Sequence, residues 1–361
     1  MGLSVGIVGL PNAGKSTLFN ALTRAGAAVG NYPFTTIEPN MAVVPVADPR
    51  LDAAARVVGS SKVVHDTITF HDIAGLVAGA HRGEGLGNRF LGNIRETDAI
   101  VHVVRAHHDP NVVHPDGQVD PLSDIETVET ELIYADLEQA ERRLDRVSKS
   151  AKSGDKASVA EARWLKQVIE ALQAGRPARS VPPPAEAPDA PTLLGSLTAK
   201  PVLYVANVDE GASETPPEIT RYAEKHAARA VAVSARLEAE LVELDPADAA
   251  AMRTDLGLSE SGLQSVVRGA FTLLDLIAFF TAGEDKPAQS WHIHRGDSAW
   301  RAAGQIHSDI QRGFVRAEVI AWDELVDAGG YAGARDRGTL RTEGRDYILR
   351  DGEVITVRFT P

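Results

Sequence analysis

The chain has 361 residues, of which 43% are hydrophobic and 24% are charged, and it contains no cysteine. This composition is typical of a globular protein and excludes disulfides, thiolate nucleophiles, iron–sulfur clusters and cysteine-based zinc sites. The formal net charge of -13 excludes a general electrostatic surface for nucleic acid, although a local basic patch remains compatible with it. The length corresponds to two or three domains.

Targeting signals are not evident in the sequence. No run of about 18 apolar residues occurs, so we expect no transmembrane helix. The first residues lack the positive charge of a signal peptide and lead directly into a strand pattern. A cytoplasmic location is therefore expected.

Short apolar runs alternate with helical patterns through most of the first 275 residues. A helix is predicted over residues 15–24, after a glycine-rich loop. Strands are predicted at residues 4–8, 41–46, 67–71, 99–104, 201–206 and 230–234. Two of these runs, 99–104 and 201–206, are almost continuously apolar, as in strands buried on both faces of a parallel sheet. The alternation predicts an α/β domain with a doubly wound, mostly parallel sheet over residues 1–275.

A long charged segment interrupts this domain between residues 125 and 197. Apolar residues recur there at steps of three and four, and Ser153-Gly154-Asp155 breaks the pattern once. We predict an inserted antiparallel α-helical hairpin, with the proline-rich stretch 182–191 as an extended return. Between residues 142 and 156 six basic residues oppose two acidic ones. This basic tip is either a contact for RNA phosphates or a solvated helix end.

The pattern changes again over residues 276–361. A strand is predicted at 291–293, a helix at 299–311 and an alternating strand at 313–321. Asp351-Gly352 stands between the apolar runs 347–349 and 354–357, which predicts a two-residue β-hairpin. We expect a small α+β module with a ubiquitin-like fold.

A phosphate-binding loop follows the first predicted strand. Residues 9–16 read GLPNAGKS, which matches G-x-x-x-x-G-K-[ST] between a strand and a helix. Lys15 is predicted to reach the β- and γ-phosphates, and the Ser16 hydroxyl to bind magnesium. The nucleotide phosphates should therefore contact Asn12, Ala13, Gly14, Lys15, Ser16 and Thr17.

A second motif, Asp72-Ile73-Ala74-Gly75, ends the strand predicted at 67–71. The Asp72 carboxylate is placed to hold magnesium, directly or through water, and the Gly75 N–H to bond the γ-phosphate. A threonine between the two motifs is needed to complete the magnesium shell, and the spacing does not choose between Thr35 and Thr36.

The base-recognition motif is altered. A guanine reader carries Asn-Lys-x-Asp after a late strand, whereas residues 207–210 read Asn-Val-Asp-Glu. Val208 replaces the lysine, and Glu210 displaces the carboxylate by about one methylene. Strict guanine selectivity is therefore not expected, and adenine could be admitted through Asn207 and backbone groups near Val208. The loop at Ser234 is expected to supply a further backbone N–H to the base.

Together these motifs resemble one family. They are GLPNAGKST at 9–17, NYPFTTIEPN at 31–40, DIAGLVAGAHRGEGLGNRFL at 72–91, NIRETDAI at 93–100 and NVDE at 207–210. The set resembles the YchF subfamily of Obg-related P-loop NTPases, also called Obg-like ATPases, over essentially the whole chain. The resemblance implies a TGS domain from residue 276, hydrolysis of ATP as well as or better than GTP, magnesium at Ser16 and Thr36, and association with ribosomes.

The residue that positions the attacking water is not evident, because Leu76 follows Gly75 where many GTPases have a glutamine. Histidines are the candidates for this role, namely His81, His107, His108 and His114. We rank His114 first, since it follows a strand at the sheet edge and matches a histidine of the family. The predicted catalytic groups are thus His114, Lys15 and Gly75.

Three functions stay open at this point. The first is an ATP-hydrolysing switch that acts on the ribosome, and the second is a GTP-preferring enzyme of the same fold. The third is a nucleotide-gated binding module with negligible turnover, which the apolar Leu76 permits. Asn12 raises the option of a bound potassium ion, and the protein is expected to be a monomer.

Overall fold

The computed structural model describes residues 3–29, 40–73, 86–109, 117, 119–258 and 260–360, with the side chains of 27–29 and 86–89 left out. The strands in this part of the chain are β1 (Leu3–Val8), β2 (Met41–Pro45), β3 (Lys62–Val64), β4 (Thr67–Asp72), β5 (Ala99–Arg105), β6 (Val202–Asn207), β7 (Arg229–Val233), β8 (Leu276–Thr281), β9 (Pro287–His294), β10 (Phe314–Ala321), β11 (Arg341–Glu343) and β12 (Glu353–Phe359). The helices are α1 (Lys15–Val29), α2 (Pro49–Val58), α3 (Leu86–Arg95), α4 (Pro121–Ala151), α5 (Lys156–Gln173), α6 (Ala190–Leu194), α7 (Pro217–Lys225), α8 (Ala235–Leu241), α9 (Pro246–Asp255), α10 (Gly262–Leu273), α11 (Ala299–Ile306), α12 (Ser308–Arg312), α13 (Trp322–Asp327) and α14 (Tyr331–Asp336).

The chain divides into two compact units. The first comprises Met1–Val44 and Thr69–Leu273, and the second comprises Pro45–Ile68 and Leu274–Pro361. The division near residue 274 lies close to the boundary expected from the sequence. The segment 45–68 was expected in the nucleotide domain, but the structure groups it with the C-terminal module.

The first unit contains a six-stranded sheet with the order β2-β4-β1-β5-β6-β7. The pairs β1–β5, β5–β6 and β6–β7 are parallel. Every residue of β5 and β6 is buried, which explains why their sequences are almost continuously apolar. The strand order reverses at β1, and ligands of doubly wound sheets bind at the carboxyl ends of the strands beside such a reversal. The predicted α/β fold is confirmed.

The helical insert between β5 and β6 is formed by α4 and α5. Helix α4 begins at Pro121, slightly before the expected start, because the Asp120 carboxylate accepts from Leu122 N–H and Ser123 N–H and caps the helix. The two helices share a small apolar core around Trp164 and Leu165. Among the described helices none is both long enough and apolar enough to cross a membrane.

Two carboxylates, the buried Asp136 and the half-buried Glu129, anchor the base of the insert. Asp136 on α4 accepts from Leu197 N–H and Thr198 N–H, each at 2.8 Å, and from the Thr198 hydroxyl at 2.6 Å. Glu129, two turns earlier on α4, accepts from the hydroxyls of Tyr204 on β6 and Tyr222 on α7. These bonds tie the insert to the sheet and to the segment that returns to it.

The second unit contains a six-stranded sheet with the order β11-β10-β12-β8-β9-β3. Within residues 274–361 the first strand is β8 and the last is β12, and these two are parallel neighbours. Each of them has an antiparallel partner on its other side. This is the ubiquitin-like arrangement expected from the sequence. A strand from the segment 45–68 extends it, since β3 pairs in parallel with β9 at one edge.

Two local predictions in this unit were wrong. Asp351-Gly352 does not join a hairpin, because β12 is paired with β10 on one side and β8 on the other and has no free edge for residues 347–349. Asp351 instead accepts from Ala278 N–H at 2.9 Å. The helix predicted over 299–311 is two helices, because His307 is extended and its ring accepts from Asp309 N–H to cap α12.

Candidate nucleotide-binding site

A cavity of about 860 Å³ lies at the carboxyl ends of the parallel strands in the first unit. Loops that follow β1, β5, β6 and β7 form its walls. They contribute Asn12, Gly14, Lys15, Ser16, Thr17, His107, His108, Asp109, Asn207, Val208, Asp209, Glu210, Ser234, Ala235 and Arg236. A cavity of this size accommodates a nucleotide-sized ligand.

The loop before α1 depends on two glycines with positive φ angles. Gly9 has φ 150° and Gly14 has φ 98°. A Cβ atom at Gly9 would collide with the Val103 carbonyl oxygen, and one at Gly14 would collide with the Asn207 amide. The loop therefore needs glycine both for its backbone angles and for its close approach to β5 and β6.

Lys15, Ser16 and Asp72 lie together beside this loop. The Lys15 ammonium donates to the Leu10 carbonyl oxygen at 2.7 Å, so it lies back along the phosphate loop. Burial lowers the pKa of Lys15, and the Asp72 carboxylate opposes this shift. Burial raises the pKa of Asp72, while the Lys15 charge and a hydrogen bond from Ser16 lower it. A cation, a hydroxyl and a carboxylate are thus adjacent, as phosphate and magnesium binding require.

Asn207 joins two walls of the cavity. Its Nδ2 donates to the Ala13 carbonyl oxygen at 3.0 Å, and its Oδ1 accepts from Ala235 N–H at 3.0 Å. The side chain is 6% exposed. The sequence predicted a base-binding residue here, and the structure gives its amide a further task of holding the phosphate loop to the loop after β7.

The other predicted base-binding residues also line the cavity. Val208 is buried and its N–H donates to the Val233 carbonyl oxygen at 3.0 Å. Glu210 Oε1 lies 3.2 Å from Nε of Arg236. Ser234 caps α8, because its hydroxyl accepts from Leu237 N–H.

Three cavity residues were not singled out from the sequence. They are Asp109, Asp209 and Arg236. Arg236 directly follows Ser234-Ala235, which were already expected to meet the base, so its place in the sequence could have identified it as a cavity residue. Its contact with Glu210 joins two loops separated by β7, and no local pattern reports such a contact.

Two of the four candidate histidines lie in the cavity wall after β5, namely His107 and His108. His107 Nδ1 is 3.1 Å from the Asn207 carbonyl oxygen. Arg105, which is 2% exposed, donates to the carbonyl oxygens of His107 and Asp109 and fixes this loop. Several predicted residues lie outside the described part of the chain and stay predictions, namely Thr35, Thr36, Gly75, Leu76, His81 and His114.

A fifth histidine lies inside the sheet. His102 on β5 is 2% exposed, and its ring centroid is 5.6 Å from that of Tyr204. Burial lowers the pKa of His102 to about 3, and the Lys15 charge contributes in the same direction. The imidazole is therefore neutral at physiological pH.

The sequence is similar to named proteins over almost its full length. It is 47% identical to "Ribosome-binding ATPase YchF" of Bacillus subtilis (strain 168) over 365 residues, covering 99% of this chain and 100% of that protein. It is 49% identical to the protein of the same name from Haemophilus ducreyi (strain 35000HP / ATCC 700724) over 362 residues, covering 99% of each. Two family models match, MMR_HSR1, described as "50S ribosome-binding GTPase", at residues 4–136, and YchF-GTPase_C, described as "Protein of unknown function (DUF933)", at residues 276–360.

The fold is similar to solved structures. "Structure of the Schizosaccharomyces pombe YchF GTPase" has a TM-score of 0.87 at 32% identity, covering 99% of this chain and 97% of that one. A GTP binding protein from Pyrococcus horikoshii OT3 has a TM-score of 0.64 at 22% identity, covering 99% of this chain and all of that one. The second similarity concerns the fold alone.

Proposed function

Since the chain belongs to the YchF family, we propose that it is a nucleotide hydrolase that binds and hydrolyses ATP and takes GTP as a weaker or alternative ligand. The observation that carries this proposal is the cavity that both the phosphate loop and the altered base motif line. The names of the relatives from Bacillus subtilis and Haemophilus ducreyi support the ATPase activity.

The phosphate end of the cavity supports the binding step. N–H groups of residues 12–17 surround the phosphates at the N-terminus of α1, where the helix dipole favours negative charge. Lys15 exchanges its bond to the Leu10 carbonyl for the β- and γ-phosphate oxygens. Burial of this ammonium makes its attraction to phosphate stronger than it is in water.

Magnesium fits the donors at this end. Ser16 and Asp72 offer neighbouring oxygen atoms, the ligand type that magnesium prefers. Within the described residues no three His, Asp or Glu side chains converge on a metal position. The proposed ligands of magnesium are Ser16, Asp72, Thr36, waters and nucleotide phosphates, a set that does not need three such side chains. When bound, the ion would neutralise phosphate charge. A potassium ion at Asn12 is the further option, and hydrolysis rates in potassium and sodium salts test it.

His114 stays the residue proposed to position the attacking water. The Gly75 N–H is proposed to bond the γ-phosphate. This assignment rests on the sequence and the family resemblance. We expect His114→Ala to lower single-turnover hydrolysis while nucleotide affinity changes little. Unchanged single-turnover hydrolysis in this variant would remove the assignment, and His107 and His108, which line the cavity, are the next candidates.

A GTP preference is the second candidate, because the model that matches residues 4–136 is described as a ribosome-binding GTPase. Competition of ATP and GTP for one site, measured by calorimetry, decides between the two. The altered motif predicts ATP affinity equal to or above GTP affinity. GTP binding at least tenfold tighter than ATP would contradict the ATPase proposal.

The ribosome is the proposed partner, since relatives carry that partner in their names. In the insert, Arg142 and Arg143 pair with Glu138 and Glu161. The cations left at the tip without an ion pair in the described part of the chain are Arg146, Lys149, Lys152 and Lys156. These side chains are the proposed contact to ribosomal RNA phosphates.

Ribosomes added to the hydrolysis assay separate a switch from a gated binding module. Stimulated turnover supports the switch, whereas nucleotide-dependent binding with no turnover supports the module. For the tip, the double variant Lys149→Glu and Lys152→Glu should weaken co-sedimentation, and Lys166→Glu on the exposed face of α5 is the control. We further propose a cytoplasmic monomer, which fractionation and light scattering test.

A further inference from the structure

Two groups that would recognise guanine already have protein partners in the cavity. Glu210 stands where a guanine reader places its Asp, and its Oε1 lies 3.2 Å from the Arg236 Nε. The Ala235 N–H, in the loop expected to meet the base, donates to Asn207 Oδ1 at 3.0 Å. Guanine presents N1 and N2 protons to a carboxylate and O6 to an N–H group. Both recognition bonds would therefore compete with contacts inside the protein.

Arg236 is placed by the start of α8. Ser234 caps this helix, and Arg236 follows two residues later. Its Nε is also 3.4 Å from Glu240 Oε1, one turn further along the helix. The guanidinium thus lies between two carboxylates, and one of them is the carboxylate at the base-reading position.

We propose that Arg236 is a positioning residue for base selection, which holds the Glu210 carboxylate away from guanine and so reduces the advantage that GTP would otherwise have. The inference rests on the proposed nucleotide binding and deepens it. It assigns the relaxed base choice to an ion pair between two loops, in addition to the longer side chain of Glu210.

The expected effect is modest because both partners are largely exposed, with side-chain exposures of 75% for Arg236 and 48% for Glu210. Exposed ion pairs contribute little free energy, so releasing Glu210 should change relative affinity by about two- to fivefold. The same exposure means that removal of Arg236 leaves no buried group unpaired, and the variant should fold.

The test is a double-mutant cycle with calorimetric Kd values for ATP and for GTP. Arg236→Ala should lower the ratio of the GTP Kd to the ATP Kd by about two- to fivefold. The same substitution in a Glu210→Gln background should leave that ratio unchanged, since the carboxylate to be released is gone. Glu240→Gln is the matched control, because it removes the other partner of Arg236 and keeps the Glu210 contact.

Three results would overturn the proposal. The first is an unchanged ratio in Arg236→Ala, and the second is an equal change in both backgrounds, which would mean that Arg236 acts on the base itself. In both cases nucleotide binding persists, so the proposed function stands. The third is a parent protein that binds neither nucleotide, which would remove the proposed function and this inference together.

Discussion

Single side chains in the first unit link separate parts of the candidate site. The Asn207 amide makes two hydrogen bonds, one to Ala13 and one from Ala235, so one side chain connects the end of β6 with the phosphate loop and the start of α8. A group held in place in this way loses less conformational entropy when a ligand binds. Lys15 differs, because it would have to give up its bond to the Leu10 carbonyl to reach a phosphate.

His102 makes the stability of the protein depend on pH. Its pKa is about 3 in the folded protein against 6.5 for an ordinary histidine. Between these values the unfolded chain binds a proton that the folded one does not, so stability falls as the pH drops below about 6.5. Between pH 7 and pH 5 the contribution is about 2 kcal/mol.

Urea unfolding at pH 7 and pH 5 checks this expectation with His102→Leu, which removes the titrating group. The variant should lose less stability than the parent protein between the two pH values. His294→Leu, at an exposed position in the second unit, is the control and should behave like the parent. An equal pH dependence in the parent and in His102→Leu would contradict the assignment.

At the scale of elements, the insert is attached to the sheet and the return segment through a few buried or half-buried polar contacts. Burial raises the pKa of Asp136, while hydrogen bonds from Thr198 and Leu197 oppose the shift. These bonds fix the return segment against α4, and Glu129 fixes the same helix to β6 and α7. The orientation of the long hairpin is therefore set at its base.

Asp136→Ala should loosen this base. It leaves the N–H groups of Leu197 and Thr198 without their acceptor, which costs about 1–3 kcal/mol for each buried group. Hydrogen exchange should accelerate at residues 195–200 while the exchange of β5 changes little. Asp145→Ala, at an exposed position on the same helix, is the control. Unchanged protection at residues 195–200 in Asp136→Ala would mean that this carboxylate does not hold the return segment.

The success of sequence-based prediction also differs between elements. The parallel strands were predictable, because burial on both faces leaves an apolar run such as residues 99–104. Strand β3 was not, since it has three residues and depends on pairing with β9 more than 200 residues away. The residue types of Asp351-Gly352 favour a two-residue turn. The segments on either side of it nevertheless do not pair with each other, because β8 and β10 occupy both edges of β12. The contact of Arg236 with Glu210 is non-local in the same way.

At the scale of the whole molecule, the second unit is built from two distant parts of the chain. Arg50 on α2 pairs with Asp48 and with Asp351, and its guanidinium lies 5.6 Å from the Phe280 ring centroid. The carboxylates of Asp48 and Asp351 raise the pKa of Arg50 despite its burial. The Asp66 carboxylate contacts the His292 ring. The backbone N–H of Asp66 donates to the Ser290 hydroxyl at 2.7 Å.

The C-terminal residues should therefore not be self-sufficient. A fragment of residues 274–361 lacks α2 and β3, and we expect it to unfold at lower urea concentration than the same unit in the full chain. A fusion that joins residues 45–68 to the fragment through a flexible linker should recover stability. Circular dichroism with urea measures both, and equal stability of the fragment with and without 45–68 would contradict this description.

The split second unit has a consequence for the order of folding during synthesis. Arg50 and Asp351 are separated by 301 positions in the sequence. At about 5–20 residues per second, the ribosome makes the second partner roughly 15–60 s after the first. Helix α2 and strand β3 thus leave the ribosome long before the strands that cover them. The second unit can form only after its C-terminal strands have left the ribosome, so residues 45–68 spend that interval without their native partners.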